Sequence, residues 1–150
     1  MRSAPWTQLY LHLVWATWNR APLLTPPLIE AVDRCIRAEC VRMRVEVVAF
    51  GGVADHVHLL VRIPTTITVA DLVKQVKGTS SHMLGQRMRV AFRWQGRYGA
   101  FSLSTSHVER IRAYVLNQER HHADGSAYPL LELPPDEEEP GRSQDPNPGS

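Results

Sequence analysis

Apolar and polar positions alternate with a period of two over residues 8–17. Leu9, Leu11, Leu13 and Trp15 fall on one side, and Tyr10, His12, Val14 and Ala16 on the other. This is strand periodicity, and Asn19-Arg20-Ala21-Pro22 ends it. Over residues 26–43 the period lengthens: Leu28, Ile29, Val32, Cys35, Ile36, Cys40 and Met43 recur at helical spacing. Thr25 stands as N-cap before them, with Pro26 at the first helical position. Residues 45–53 and 56–63 again read as strands, joined by so short a connection that an antiparallel hairpin is expected, and Pro64 closes the second.

A second helix opens at Thr68, with Asp71 in place of the usual capping Glu or Gln, and offers Leu72, Val73, Val76 and Met83 for burial. Residues 98–105 predict a fourth strand. Ser106-His-Val-Glu109 is a full capping box for a third helix, whose packing stripe is Val108, Ile111 and Val115. The first six elements match a ferredoxin-like split βαβ arrangement, an α+β fold. It predicts an antiparallel sheet with two helices on one face and an extra C-terminal helix on the other.

The third strand has two unlike faces. Val57, Leu59, Val61 and Ile63 form an apolar face for the two helices, while His56, His58, Leu60 and Arg62 form a mixed face expected to meet solvent, substrate or a partner. Residues i and i+2 of a strand share a face roughly 6.5–7 Å apart, so both imidazoles can reach one divalent metal ion. Two imidazoles leave most of a metal's coordination open, which suits a Lewis acid gripping a phosphate oxygen. On the third helix Tyr114 and Gln118 are four residues apart and share a face, with Asn117 and His121 close by. A Gln118 amide oxygen would be the donor type Mg²⁺ or Mn²⁺ prefers. A tyrosine beside such a metal can be a nucleophile, although its pKa of about 10 requires help in losing the proton. The bland alternative, a surface tyrosine above a solvated face, stands beside this one.

Composition adds less. The 150 residues, 43% of them hydrophobic, suffice for one domain with its own core. No apolar run is long enough to span a membrane, and the N-terminus lacks a signal-peptide core, so a cytoplasmic protein is expected. Cys35 and Cys40 read as small core residues in a reducing compartment. The net charge of +2 conceals an asymmetry: residues 134–150 hold five acids and one base, leaving 16 basic and 10 acidic residues, or +6, in 1–133. Rich also in Pro, Gly and Ser, 134–150 is expected to be a disordered acidic tail behind a single domain of residues 1–133. A basic body suits a phosphate-bearing partner. Lys74 and Lys77 on the second helix are candidate phosphate contacts, as are Arg93 and Arg97, interleaved with Phe92, Trp94 and Tyr98 in the manner of single-strand binders. Anchoring of Phe92 and Trp94 in the core is the competing reading.

The chain resembles the single-tyrosine HUH transposases of bacterial hairpin-ended insertion sequences and their REP-associated relatives. The matching blocks are His12-Leu-Val-Trp-Ala-Thr17, Asp55-His-Val-His-Leu-Leu-Val61, Leu72-Val-Lys-Gln-Val-Lys-Gly78, Tyr98-Gly-Ala-Phe-Ser102 and Tyr114-Val-Leu-Asn-Gln118. They stand in family order over roughly residues 8–122. The resemblance implies that His56, His58 and Gln118 bind Mg²⁺ or Mn²⁺. It implies that Tyr114 attacks single-stranded DNA at hairpin-marked ends, giving a 5′-phosphotyrosine and a free 3′-hydroxyl. It also implies a homodimer in which the tyrosine helix can complete the partner's site. Ala54 stands where relatives often carry Pro, which bears on loop rigidity, and the acidic tail matches no motif. A DNA-binding module without catalysis and an unrelated His-x-His metal hydrolase are the other readings. Tyr98 is a rival nucleophile, Tyr10 and Tyr128 lesser ones. His12 is expected to be a satisfied sheet histidine, and His121-His122 to meet the helix dipole.

Overall fold

The computed structural model describes residues 5–125 and residue 132; the expected disordered tail of residues 134–150 lies outside them. Strands β1 (Leu9–Ala16), β2 (Glu46–Val53), β3 (His56–Ile63) and β4 (Gly99–Leu103) form one sheet in the order β2-β3-β1-β4. Every neighbouring pair is antiparallel. Helices α1 (Pro26–Arg42) and α2 (Val69–Met88) pack against each other, and α3 (Val108–Leu116) and α4 (Gln118–Asp124) follow β4. This is the expected α+β, ferredoxin-like arrangement.

The two-residue period of β1 and β3 decides the layers. Leu13 and Trp15 of β1 and Val57, Leu59 and Val61 of β3 meet Val32, Ile36 and Cys40 of α1 and Leu72, Val73, Val76 and Leu84 of α2 in the main core. Leu60 points the other way and forms a second cluster with Ala49, Val108 and Val115. That second cluster corrects one expectation. The histidine-bearing face does not lie open: α3 and α4 cover it, leaving His56 3% and His58 0% exposed.

One residue makes the close cover possible. Gly51 of β2 pairs with His58, and a Cβ built on Gly51 would overlap the backbone carbonyl oxygen of Val115. The α3 backbone thus rests directly on the strand beside the histidine pair. Farther along β2 the register shifts between Val47 and Ala49, a bulge that alternation alone did not indicate.

Helix termini follow the sequence in part. Thr68 Oγ1 accepts from the Asp71 amide at 3.1 Å, as the capping pattern predicts. The Ser106–Glu109 box does not form. A 3₁₀ turn (Thr105–His107) precedes α3, and the Ser106 hydroxyl meets Ser104 Oγ at 2.9 Å, which in turn lies 2.6 Å from His107 Nδ1. The serines satisfy one another and leave the helix amides unserved by Ser106. The single expected last helix is two, broken at Asn117 (φ −107°, ψ 29°).

Trp94 belongs to the core, 5% exposed and edge-on to Trp15, so it is not a platform for bases; Phe92 packs against it. The Trp94 indole donates to the buried Ser80 hydroxyl at 2.9 Å. Ser80→Ala leaves that N–H buried and unpaired, which costs about 1–3 kcal/mol. Urea denaturation should show a lower midpoint with an unchanged slope. Cys35 and Cys40 are free thiols, and burial together with Glu39 pushes the Cys40 pKa up to about 11, as suits an inert core residue. Among the described residues no helix is long and apolar enough to cross a membrane.

Candidate active site

Strand β3 delivers His56 and His58 to one face, and each ring is tied at Nδ1. Asp55 Oδ1 lies 2.7 Å from His56 Nδ1, and His12 Nε2, from the adjacent β1, lies 2.7 Å from His58 Nδ1. The other nitrogens converge. His56 Nε2 and His58 Nε2 are 3.3 and 2.9 Å from Glu132 Oε2, and His122 Nε2 is 3.0 Å from His56 Nε2 and 3.3 Å from Glu132 Oε1.

Tyr114, 3% exposed, reaches the same carboxylate: its hydroxyl donates to Glu132 Oε1 at 2.5 Å. Its ring stands edge-on to His58, centroids 6.0 Å apart, and stacks on His121 at 4.6 Å. Gln118 is buried across the Asn117 break. Its Nε2 donates to the Tyr114 carbonyl at 3.0 Å, and its Oε1 is 3.1 Å from His122 Nε2. Tyr114 and Gln118 therefore stay in contact across the break, although they sit on different helices.

The electrostatics follow from burial. Desolvation, with His58 beside it, lowers the His12 pKa to about 3, so His12 is neutral. Desolvation also lowers His58, against the pull of Glu132. For His56, burial is outweighed by the Asp55 and Glu132 carboxylates, and the pKa rises. Burial would raise Glu132, but the bonds from His56 and His58 outweigh it and hold the carboxyl well below the usual range. Glu132 is ionised at neutral pH, and His56 carries the balancing positive charge most readily.

Can this donor set hold a metal? Ligand atoms of His56, His58, His122 and Glu132 all lie within 4.8 Å of one another. His58 Nε2 is buried without a well-aligned hydrogen bond, and two imidazole nitrogens face each other at 3.0 Å. Imidazole nitrogens and a carboxylate converging on one point are what a divalent cation would link. Three imidazoles and a carboxylate fit a divalent transition ion well. The Gln118 oxygen stands at the edge of the group.

The proposed site residues therefore separate into two sets. His56, His58, Tyr114 and Gln118 come together. Lys74 and Lys77 do not join them, because α2 packs on the opposite face of the sheet. Lys74 is exposed, and Lys77 Nζ donates to the Gln95 carbonyl at 2.6 Å, its pKa lowered by burial. The Arg93 guanidinium sits 4.0 Å over the Trp18 ring, and the Arg97 carbonyl is 3.5 Å from Lys77 Nζ. Cations beside the tyrosine come instead from Arg110 and Arg120, which with Tyr114, Asn117 and His121 line a cavity of about 210 Å³. Sequence reasoning also missed Glu132 and assigned His122 to the helix end. His122 stands four residues after Gln118, a spacing that could have flagged it; nothing local flags Glu132.

The family model for IS200-like transposases matches residues 6–118. Over 122 residues the chain is 26% identical to the ISDra2 transposase TnpA of Deinococcus radiodurans, an alignment covering 74% of this chain and 84% of that protein. In structure it is similar to a putative transposase from Deinococcus radiodurans R1, with a TM-score of 0.64 and 24% identity over 79% of this chain and 98% of the other. It is also similar to a REP-associated tyrosine transposase bound to a REP hairpin, with a TM-score of 0.59 and 17% identity over 91% of this chain and 90% of the other. The last two likenesses bear on the fold.

Proposed function

The chain belongs to the IS200-like transposase family, and from that premise we propose that it cleaves and rejoins single-stranded DNA at hairpin-marked ends, with Tyr114 as nucleophile. The observation that carries this reading is the meeting of the Tyr114 hydroxyl with both Nε2 atoms of the His-x-His pair on one carboxylate, Glu132. A nucleophile and a cation-binding pair are thereby held within one hydrogen-bonded group. Glu132 accepts from the hydroxyl and so orients it.

In the proposed step the Tyr114 oxygen bonds to phosphorus, the bond from phosphorus to the 3′-oxygen breaks, and the departing oxygen is protonated to a 3′-hydroxyl. The 5′-phosphate remains on the tyrosine. Attack by a 3′-hydroxyl on that ester reverses the chemistry and rejoins a strand, so phosphoester bonds are conserved and no external energy source is needed. His56, His58 and Gln118 would hold Mg²⁺ or Mn²⁺. Bound there, the cation supplies charge for the phosphate oxygen. His122 and Glu132 extend the donor set, and Arg110 and Arg120 attract flanking phosphates.

The remaining parts of the proposal concern organisation. Residues 1–133 act as the transposase domain, with 134–150 as an appended acidic tail, in the cytoplasm. The protein acts as a homodimer on DNA hairpins; the DNA partner is supported by the hairpin-bound structural neighbour.

The test uses the full chain with labelled single-stranded DNA carrying the hairpins that flank its own gene, in Mg²⁺ or Mn²⁺. A denaturing gel should show a protein–DNA adduct, and peptide mapping should place it on Tyr114. Metal-dependent cleavage without an adduct would identify a hydrolase using water, and binding without cleavage would identify a DNA-binding module; either result sinks the proposal.

A further inference from the structure

His56 and His58 are supported at Nδ1 by chemically different partners. For His56 the partner is a carboxylate, Asp55, which only accepts. For His58 it is a second imidazole, His12, which can donate or accept through Nε2. A neutral imidazole carries one proton, so a ring that offers Nε2 to a metal must carry that proton on Nδ1. Asp55 enforces this for His56. The corresponding assignment for His58 depends on His12.

From this geometry we infer that His12 is a positioning residue of the metal centre, its Nε2 accepting the Nδ1–H of His58 so that His58 turns a Nε2 lone pair toward a divalent cation. The inference rests on the reading of His56 and His58 as metal ligands. Both rings of the pair are almost fully buried, His12 at 1% and His58 at 0% exposure. Their planes differ by 17° with centroids 5.0 Å apart. With nitrogens 2.7 Å apart, that separation means the rings meet edge to edge, and the bond lies in the plane that holds the lone pair and the N–H. The two outer nitrogens, His12 Nδ1 and His58 Nε2, are buried, and neither makes a well-aligned hydrogen bond to a described residue. The shared bond and what binds at His58 Nε2 therefore decide where the protons sit.

The alternative tautomer is close at hand. Glu132 Oε2, 2.9 Å from His58 Nε2, would draw a proton onto that nitrogen and close it to metal. Without an acceptor at position 12, His58 has every reason to adopt that form. A merely satisfied sheet histidine would have no such effect on the centre.

Binding of Mn²⁺ to the DNA-free protein, followed by electron paramagnetic resonance, reads the effect directly. His12→Phe fills the space but removes the acceptor, and should weaken Mn²⁺ about 10–100-fold, the usual cost of losing an outer partner of a ligand. His12→Gln, which restores an acceptor, should recover most of the loss. Hairpin binding in EDTA should stay at the wild-type level for both. Controls His56→Ala and His58→Ala examine the underlying reading: if they keep the Mn²⁺ site, the metal-ligand assignment itself fails. If they lose it while a folded His12→Phe keeps the wild-type affinity, or His12→Gln does no better than His12→Phe, only the role of His12 falls. Should His12→Phe not fold, long-range ¹H–¹⁵N spectra of the Mg²⁺-loaded wild type decide. The proton of His58 should lie on Nδ1, and finding it on Nε2 overturns the inference.

Discussion

Replacing Tyr114 by phenylalanine should abolish the protein–DNA adduct and lower strand cleavage by at least about 10³-fold, while hairpin affinity in EDTA stays within about twofold. The substitution removes one oxygen and keeps the ring, so the edge contact with His58 and the stack on His121 survive. What disappears is the hydroxyl on Glu132 and with it the atom that would bond to phosphorus. Because the lost hydrogen bond goes to a charged acceptor, thermal stability should fall modestly, by about 1.5–3 kcal/mol at most. Gel assays of adduct and cleavage, run beside a binding titration, separate chemistry from recognition. Cleavage at the wild-type rate in Tyr114→Phe would remove Tyr114 from the mechanism; loss of cleavage with equal loss of binding would make it a DNA contact.

Gly51→Ala should slow adduct formation by about 10²-fold although it alters no group that enters the proposed reaction. Gly51 lies across from His58, and the added methyl would collide with the Val115 carbonyl. That obstacle is backbone, so no side-chain rotation relieves it, and α3 must lift from the sheet. Val115 follows Tyr114, and the same added atom would lie 3.5 Å from Gln118 Cγ, so Tyr114 and Gln118 shift together. Displacement of a reacting group by about 1 Å costs on that order in rate. The main core lies on the other face, so the fluorescence of Trp15 and Trp94 should be unchanged. Wild-type adduct formation in Gly51→Ala would mean that the seating of α3 does not set the tyrosine.

Local patterning carried much of this molecule. The alternation of β1 and β3, the helical stripe of α1 and the histidines at i and i+2 are short-range features, and the observed layers follow them. Tyr114 and Gln118, four apart, also meet, although through a side chain reaching a carbonyl across a break. What escaped was settled by competition between neighbours or by contacts at long range. Whether Ser106 caps a helix depended on Ser104 and His107 competing for its hydroxyl. Trp94 read equally as a stacking platform or a core anchor, and Ser80, on another element, takes its N–H and decides for the core. Glu132 enters the site from 74 positions after His58 and gives no periodic sign of it, while His12, 46 positions before, shows in the alternation of β1 only that it shares the face opposite the leucines. Lys74 and Lys77 lie on α2, which packs on the other face of the sheet, away from the histidines.

The bulge in β2 acts on the strand as a tolerance joint acts on a beam. Counted back from the turn at Ala54 and Asp55, Val53 faces His56, Gly52 faces Val57 and Gly51 faces His58 without interruption. The irregularity comes only beyond, where Val48 and Ala49 both pack toward the second cluster. Residues gained or lost upstream of Ala49 can be taken up there, and the seat of α3 stays opposite His58. A residue gained between Gly51 and the turn has no such joint to absorb it. Relatives of differing length should therefore vary on the bulge side of this hairpin and hold the turn side constant.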